Sequence, residues 1–115
     1  MKNTLNIFSV EGKRVLITGA ANGNGKAIAN GFGNAGSELI LLDIDHKNLE
    51  IVANDIEKET DSKVHRVTVD LRSPEEIDRF LDQNDNFDVV INNAGVTHNN
   101  HFIDYKDSDW DETYK

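Results

Sequence analysis

Gly19, Gly23 and Gly25 lie in the segment TGAANGNG, residues 18 to 25, with G-x3-G-x-G spacing where an apolar run gives way to helical periodicity. Glycines at such a junction can allow a tight turn, let the backbone approach a pyrophosphate, and let the helix pack closely on the strand. The helix start then offers unpaired N–H groups and a positive dipole end to phosphates. Taken alone, the three glycines fit an ordinary glycine-rich turn equally well. Asp43, 18 residues beyond Gly25 and closing the next apolar run, stands near the spacing of an acid that binds a ribose. Its carboxylate can accept from both hydroxyls of an adenosine ribose and would repel a 2′-phosphate, by about 1–4 kcal/mol depending on the local dielectric. Asn22 occupies the loop where a basic residue would help to hold that phosphate. The pattern therefore favours NAD over NADP. A capping role for Asp43 is the alternative, but Asp45 is better placed to cap.

These residues need particular elements to position them. Val15, Leu16 and Ile17, ending in Thr18-Gly19, form the short continuous apolar run of a strand buried on both faces. From about Asn24 to Phe32 the residues Ala27, Ile28, Gly31 and Phe32 recur at helical spacing, and Gly33-Asn34-Ala35-Gly36 supplies a stop. Leu39 to Leu42 make a second buried strand closed by Asp43, followed by the helical stripe Leu49, Val52, Ala53 and Ile56. Val64, Val67 and Val69, interleaved with His65, Arg66 and Thr68, predict a third strand near a sheet edge, ending at Asp70. Ser73-Pro74-Glu75-Glu76 combines an N-cap serine, proline at the first helical position and a capping-box glutamate ahead of Ile77, Phe80 and Leu81. Phe87, Val89, Val90 and Ile91 predict a fourth strand ending in Asn92-Asn93-Ala94-Gly95, and a further helix start is expected near Ser108.

Strands alternating with helices predict an α/β fold: a Rossmann-type parallel sheet with helices on both faces, joined by right-handed crossovers. The expected strand order is 3-2-1-4, which puts the topological switch point, and a ligand, between strands one and four. The 115 residues fit one domain or part of one, with no internal repeat, linker or low-complexity segment.

Composition excludes other classes. The formal charge of -9 disfavours nucleic acid and anionic membranes as partners. With no cysteine there is no disulfide framework or thiolate metal site, consistent with a reducing cytoplasm. Neither a signal peptide nor a run of roughly 20 apolar residues is recognisable, so a cytoplasmic location is expected.

Two motifs in order, T-G-x3-G-x-G from Thr18 to Gly25 and Asn-Asn-Ala-Gly at 92 to 95, resemble the classical short-chain dehydrogenase/reductase family. The resemblance runs from about Ser9 to the end of the chain and includes Asp70-Leu71. It implies that Gly19, Ala21, Asn22, Gly23, Asn24 and Gly25 form the pyrophosphate turn, and that Asp43 and Ile44 contact the adenosine ribose. Asp70 and Leu71 would flank adenine, while Asn93, Ala94 and Gly95 would pass behind the nicotinamide ribose. Asn92 would brace the central strands. Asn24 departs from the family's usual apolar residue, a change bearing on local packing more than on binding.

The resemblance also implies hydride transfer between NAD(H) and a small carbonyl or alcohol substrate, in a protein that forms a homo-oligomer at full length. The family's chemistry uses a tyrosine with a lysine four residues later and an upstream serine. Tyr105-Lys106 and Tyr114-Lys115 have the residue types at the wrong spacing, so no catalytic residue is assigned. On this reading the sheet is truncated before its later strands, and the chain is expected to be inactive alone, to self-associate or to be poorly stable.

Other candidates weigh less. Asp107, Asp109 and Asp111 imitate a calcium loop, but Glu112 stands where glycine is required, and a solvated helix start fits better. His98 and His101 lack metal-ligand spacing, and His46 and His65 belong to no constellation, so no metal is expected. Phe102 and Trp110 are expected to pack in a core. A truncated, inactive nucleotide-binding module is one alternative function. An S-adenosylmethionine-dependent methyltransferase is another, since Asp43 and Asp70 would suit it, although strand one ends without an acid and Asn-Asn-Ala-Gly has no role there.

Overall fold

A computed structural model describes residues 9–93. Four strands, β1 (Arg14–Thr18), β2 (Glu38–Asp43), β3 (Val64–Thr68) and β4 (Val89–Asn92), alternate with three helices, α1 (Gly23–Asn34), α2 (His46–Glu59) and α3 (Pro74–Gln83). All pairings are parallel and the order is β3-β2-β1-β4, as the alternation predicts. Register places Leu16 between Ile40 and Val90, and Ile17 between Leu41 and Ile91.

The two-residue period of the strands sorts the core into two layers. Val15, Ile17, Leu39 and Leu41 meet Ala29 of α1 and Leu49, Val52, Ala53 and Ile56 of α2. Leu16, Ile40 and Leu42 turn the other way, onto Ile77, Phe80 and Leu81 of α3. Helices therefore cover both faces of the sheet, and the middles of β1 and β2, residues 15–17 and 39–42, are apolar and buried because neither face meets water there. Each fully buried leucine or isoleucine contributes about 1.5–3 kcal/mol.

The helix ends follow from local chemistry. α1 stops where Gly36 takes φ 89°, with Gly36 N–H donating to Gly33 O and Ser37 N–H to Phe32 O. This paired arrangement needs a left-handed residue just past the helix. Asp45 caps α2 through Asn48 N–H, and Ser73 caps α3 through Glu76 N–H. The expected capping box of α3 closes differently: Glu76 Oε1 accepts from Asp70 N–H at 3.0 Å, because Ser73 N–H is already held by Asp70 O at 2.9 Å.

β3 is an edge strand and ends at Thr68, two residues earlier than expected. Its polar residues are explained by their neighbours, since Arg66 reaches α2 to pair with Glu57 at 3.0 Å and Glu50 at 3.5 Å. β4, at the opposite edge of the described sheet, keeps Val89, Val90 and Ile91 only half-buried. Among the described residues no helix is long and apolar enough to cross a membrane. The helix start expected near Ser108 lies outside the described residues, as do Phe102 and Trp110.

Candidate functional site

The parallel sheet brings the ends of β1, β2, β3 and β4 to one rim, and the predicted residues collect there. At the close of β1, Gly19 takes φ 65°, and Gly23 opens α1 at φ 57° with nothing within 4 Å of where a Cβ would stand. Gly25 is the close-packing glycine: a Cβ there would run into the Gly19 carbonyl and come within 2.7 Å of Asn93 Nδ2. Asn22, Gly23 and Asn24 are exposed, and Asn22 makes no side-chain cap bond, so the first N–H groups of α1 face outward without a side-chain acceptor. Because Asn24 is exposed, its departure from an apolar residue removes nothing from the core.

At the switch point the buried Thr18 hydroxyl joins two strands. It donates to Asn92 Oδ1 at 3.1 Å and accepts from Asn93 N–H at 2.9 Å. Asn92 thus braces β1 against β4, and Asn93 Nδ2 adds a longer bond to Gly19 O, 3.4 Å. Ala94 and Gly95 lie outside the described residues, as do Tyr105, Lys106, Tyr114, Lys115, His98, His101 and the acidic run at 107 to 111.

Beside the glycine turn is a cavity of about 320 Å³ lined by five residues the sequence singled out, Gly19, Asp43, Ile44, Asp70 and Leu71. Val69 and Arg72 complete the lining. Ala21, Asn22, Gly23, Asn24, Gly25 and Asn93 do not line it; they belong to the neighbouring turn and switch point. Asp43 links the two areas: Oδ2 accepts from Ala21 N–H at 3.0 Å and Oδ1 from Asp45 N–H at 2.9 Å. Each oxygen keeps a further lone pair for a ligand hydroxyl. Ile44 is 54% exposed at the cavity, an apolar surface suited to a flat ring.

Two carboxyls at this rim sit below the usual aspartate range. Asn48 N–H, with its side-chain amide, holds Asp45 down, and the Asn22 amide and Lys47 act in the same direction. Arg72 does the same for Asp70, whose oxygens accept from Arg72 Nε at 3.0 Å, Nη2 at 3.3 Å and backbone N–H at 2.9 Å. Both acids are therefore ionised at neutral pH. Sequence reasoning missed Arg72, although an arginine two residues after an aspartate in a turn is a recognisable local pairing. It also missed Thr18, whose hydroxyl bonds residues 74 and 75 positions away.

Among the described residues no cluster of three or more His, Asp or Glu could hold a metal. His46 bonds Thr68 Oγ1 at 3.0 Å, and His65 pairs with Glu38 at 2.8 Å.

Comparison with known proteins agrees with this geometry. The family model described as short chain dehydrogenase matches residues 13–115. A 3-oxoacyl-acyl-carrier-protein reductase of Aquifex aeolicus is 33% identical over 112 residues, covering 94% of this chain and 45% of that protein. The solved L-sorbose reductase of Gluconobacter frateurii, complexed with NADPH and L-sorbose, is 29% identical with a TM-score of 0.70, covering 89% of this chain and 40% of that one. A metagenomic short-chain oxidoreductase in complex with NADP is 32% identical with a TM-score of 0.70, covering 76% of this chain and 41% of that one. The chain spans less than half the length of the relatives it matches.

Proposed function

The chain belongs to the short-chain dehydrogenase family, and on that premise we propose that it supplies the cofactor side of an oxidoreductase acting on a small carbonyl or alcohol. The observation that carries the reading is the joining of the glycine turn to the ribose-side acid through the bond from Ala21 N–H to Asp43. The residues present fit a dinucleotide. The outward N–H groups of α1 suit the pyrophosphate, Asp43 the adenosine ribose, Ile44 and Leu71 the adenine faces, and Asn93 the region near the second ribose. Ala94 and Gly95 complete that last region by family resemblance. When bound, a nicotinamide supplies or accepts the hydride exchanged with the substrate carbon.

We further propose that the cofactor is NAD, although several solved relatives hold NADP or NADPH. What supports NAD is specific to this chain: an aspartate side chain at the end of β2 and an asparagine, not a cation, at position 22. Family membership argues against the methyltransferase alternative. Calorimetric titration with NAD, NADP and S-adenosylmethionine tests the reading. NAD is expected to bind tightest, and Asp43→Ala to weaken it about tenfold or more, as loss of charge-assisted hydrogen bonds implies. Tighter binding of S-adenosylmethionine overturns the oxidoreductase reading; tighter binding of NADP overturns the NAD preference.

A further inference from the structure

Residues 22 to 31 hold three Asn-Gly pairs, Asn22-Gly23, Asn24-Gly25 and Asn30-Gly31. A glycine after an asparagine has no Cβ to shield its nitrogen and a backbone that bends freely, so that nitrogen can attack the asparagine's amide carbon. The attack needs the peptide between the two residues to turn and its N–H to be unengaged, and the fold allows this unevenly. Asn30-Gly31 lies inside α1, where Gly31 N–H is bonded to the preceding turn and Asn30 O also accepts from Asn34 Nδ2 at 2.9 Å. Gly31 is exposed with nothing within 4 Å of where a Cβ would stand, so the helix, not crowding, restrains this pair. Asn24-Gly25 is restrained by packing, with Gly25 buried against the Gly19 carbonyl. Asn22-Gly23 has neither restraint. Asn22 is exposed and extended, at φ -148° and ψ 160°, and Gly23 is exposed at φ 57° with open space about it. As the first residue of α1, Gly23 has no acceptor for its N–H within the helix, and Asn22 O is held by a long bond, from Lys26 N–H at 3.3 Å.

We propose that Asn22 is a site of spontaneous deamidation, and that the product blocks the dinucleotide site. Gly23 N loses its proton and bonds to Asn22 Cγ; the Cγ–Nδ2 bond breaks and ammonia leaves, giving a cyclic imide. Water then opens the imide at either carbonyl, to aspartate or to isoaspartate, whose main chain runs through Cγ. Solvent water is the sole co-reactant. Either product puts a carboxylate at residue 22, the N-cap of α1. A carboxylate there accepts from N–H groups of the first turn and lies against the positive end of the helix dipole. A pyrophosphate needs both. The effect on binding rests on the cofactor reading, whereas the modification does not. A bound dinucleotide would slow the reaction by holding the turn.

Incubating the protein at mildly alkaline pH and mapping its tryptic peptides by mass spectrometry tests the modification. Cleavage after Arg14, Lys26 and Lys47 puts Asn22 and Asn24 in one peptide, where fragmentation separates them, and Asn30 in the next. Asn22 is expected to convert about tenfold or more faster than Asn24 or Asn30, with isoaspartate among the products, and the three rates should converge in urea, since only local structure separates them. Equal rates in the folded protein, or Asn24 or Asn30 leading, overturn the site. Calorimetric titration with NAD before and after incubation reads the consequence, and affinity is expected to fall about tenfold or more as Asn22 converts. Asn22→Asp should show the same loss without incubation. Asn22→Gln, whose longer side chain does not readily close the imide ring, should keep through incubation whatever affinity it starts with. Converted protein that binds as tightly as fresh protein overturns the blocking of the site. Fresh protein that binds no dinucleotide while Asn22 converts overturns the cofactor reading and leaves the modification standing.

Discussion

The rim of the sheet has two halves built on different principles. At the β1–β4 junction the surface is backbone packed to contact: Gly25 sits against the Gly19 carbonyl, and the hydroxyl joining the strands belongs to the fully buried Thr18. At the β2–β3 rim the surface is made of side chains, Asp43, Ile44, Asp70 and Arg72, each partly exposed and tied by a few hydrogen bonds or by none that the core depends on. The junction is fixed by the same contacts that fold the sheet, so it cannot change without the fold changing. The rim can vary while the fold persists, and it is there that the proposed choice of nucleotide would be made.

The largest effect should come from Gly25→Ala. One methyl group would meet the Gly19 carbonyl, and a backbone atom cannot swing aside as a side chain can. Either α1 lifts from β1 or the turn deforms, and overpacking of this kind costs about 1–3 kcal/mol or more. A lowered urea midpoint together with lost dinucleotide binding is expected. A variant as stable as the wild type that still binds would show the junction to be as adjustable as the rim.

Thr18→Val should come next. The swap nearly conserves volume but deprives Asn92 Oδ1 of a donor and Asn93 N–H of an acceptor in a buried place. Leaving such groups unpaired costs about 1–3 kcal/mol. Urea unfolding is expected to show that loss, and hydrogen exchange at the Asn93 amide should speed up. Unchanged protection of that amide would mean that water or another group takes the hydroxyl's place, and that the junction is less closed than its packing indicates.

How far each half was legible in the sequence follows the same division. The glycine spacing, the stripe Leu49, Val52, Ala53 and Ile56, and the caps Asp45 and Ser73 are local signals, because a helix or turn writes its requirements within a few residues. Strand order followed from the alternation of elements and the rules of crossover connections. The Thr18 bonds were hidden because their partners are 74 and 75 residues away and become neighbours only through parallel pairing. Glu76 was assigned to Ser73 and serves Asp70 instead, since the Asp70–Ser73 turn had already used the Ser73 N–H. Asp43 was legible as the acid that closes β2, but not as the tie between the glycine turn and the start of α2.

The smallest effect belongs to the rim pair Asp70–Arg72, and its pH dependence shows why. Arg72 holds the folded-state pKa of Asp70 below the ordinary value of 3.8. A depressed carboxyl contributes stability that is fully present above its unfolded pKa and lost as pH falls through the folded one. The Arg72 side chain is 70% exposed, so water and salt screen the pair, and its worth at neutral pH is slight. Arg72→Gln should therefore leave the urea midpoint at pH 7 nearly unchanged, while carboxyl-carbon NMR shows Asp70 titrating closer to 3.8. What little stability difference exists between the two proteins should shrink as the pH drops below that range, and also in high salt. Should Arg72→Gln destabilise the protein at pH 7 as much as Thr18→Val does, the rim would be part of the folding core and the contrast between the two halves would fail.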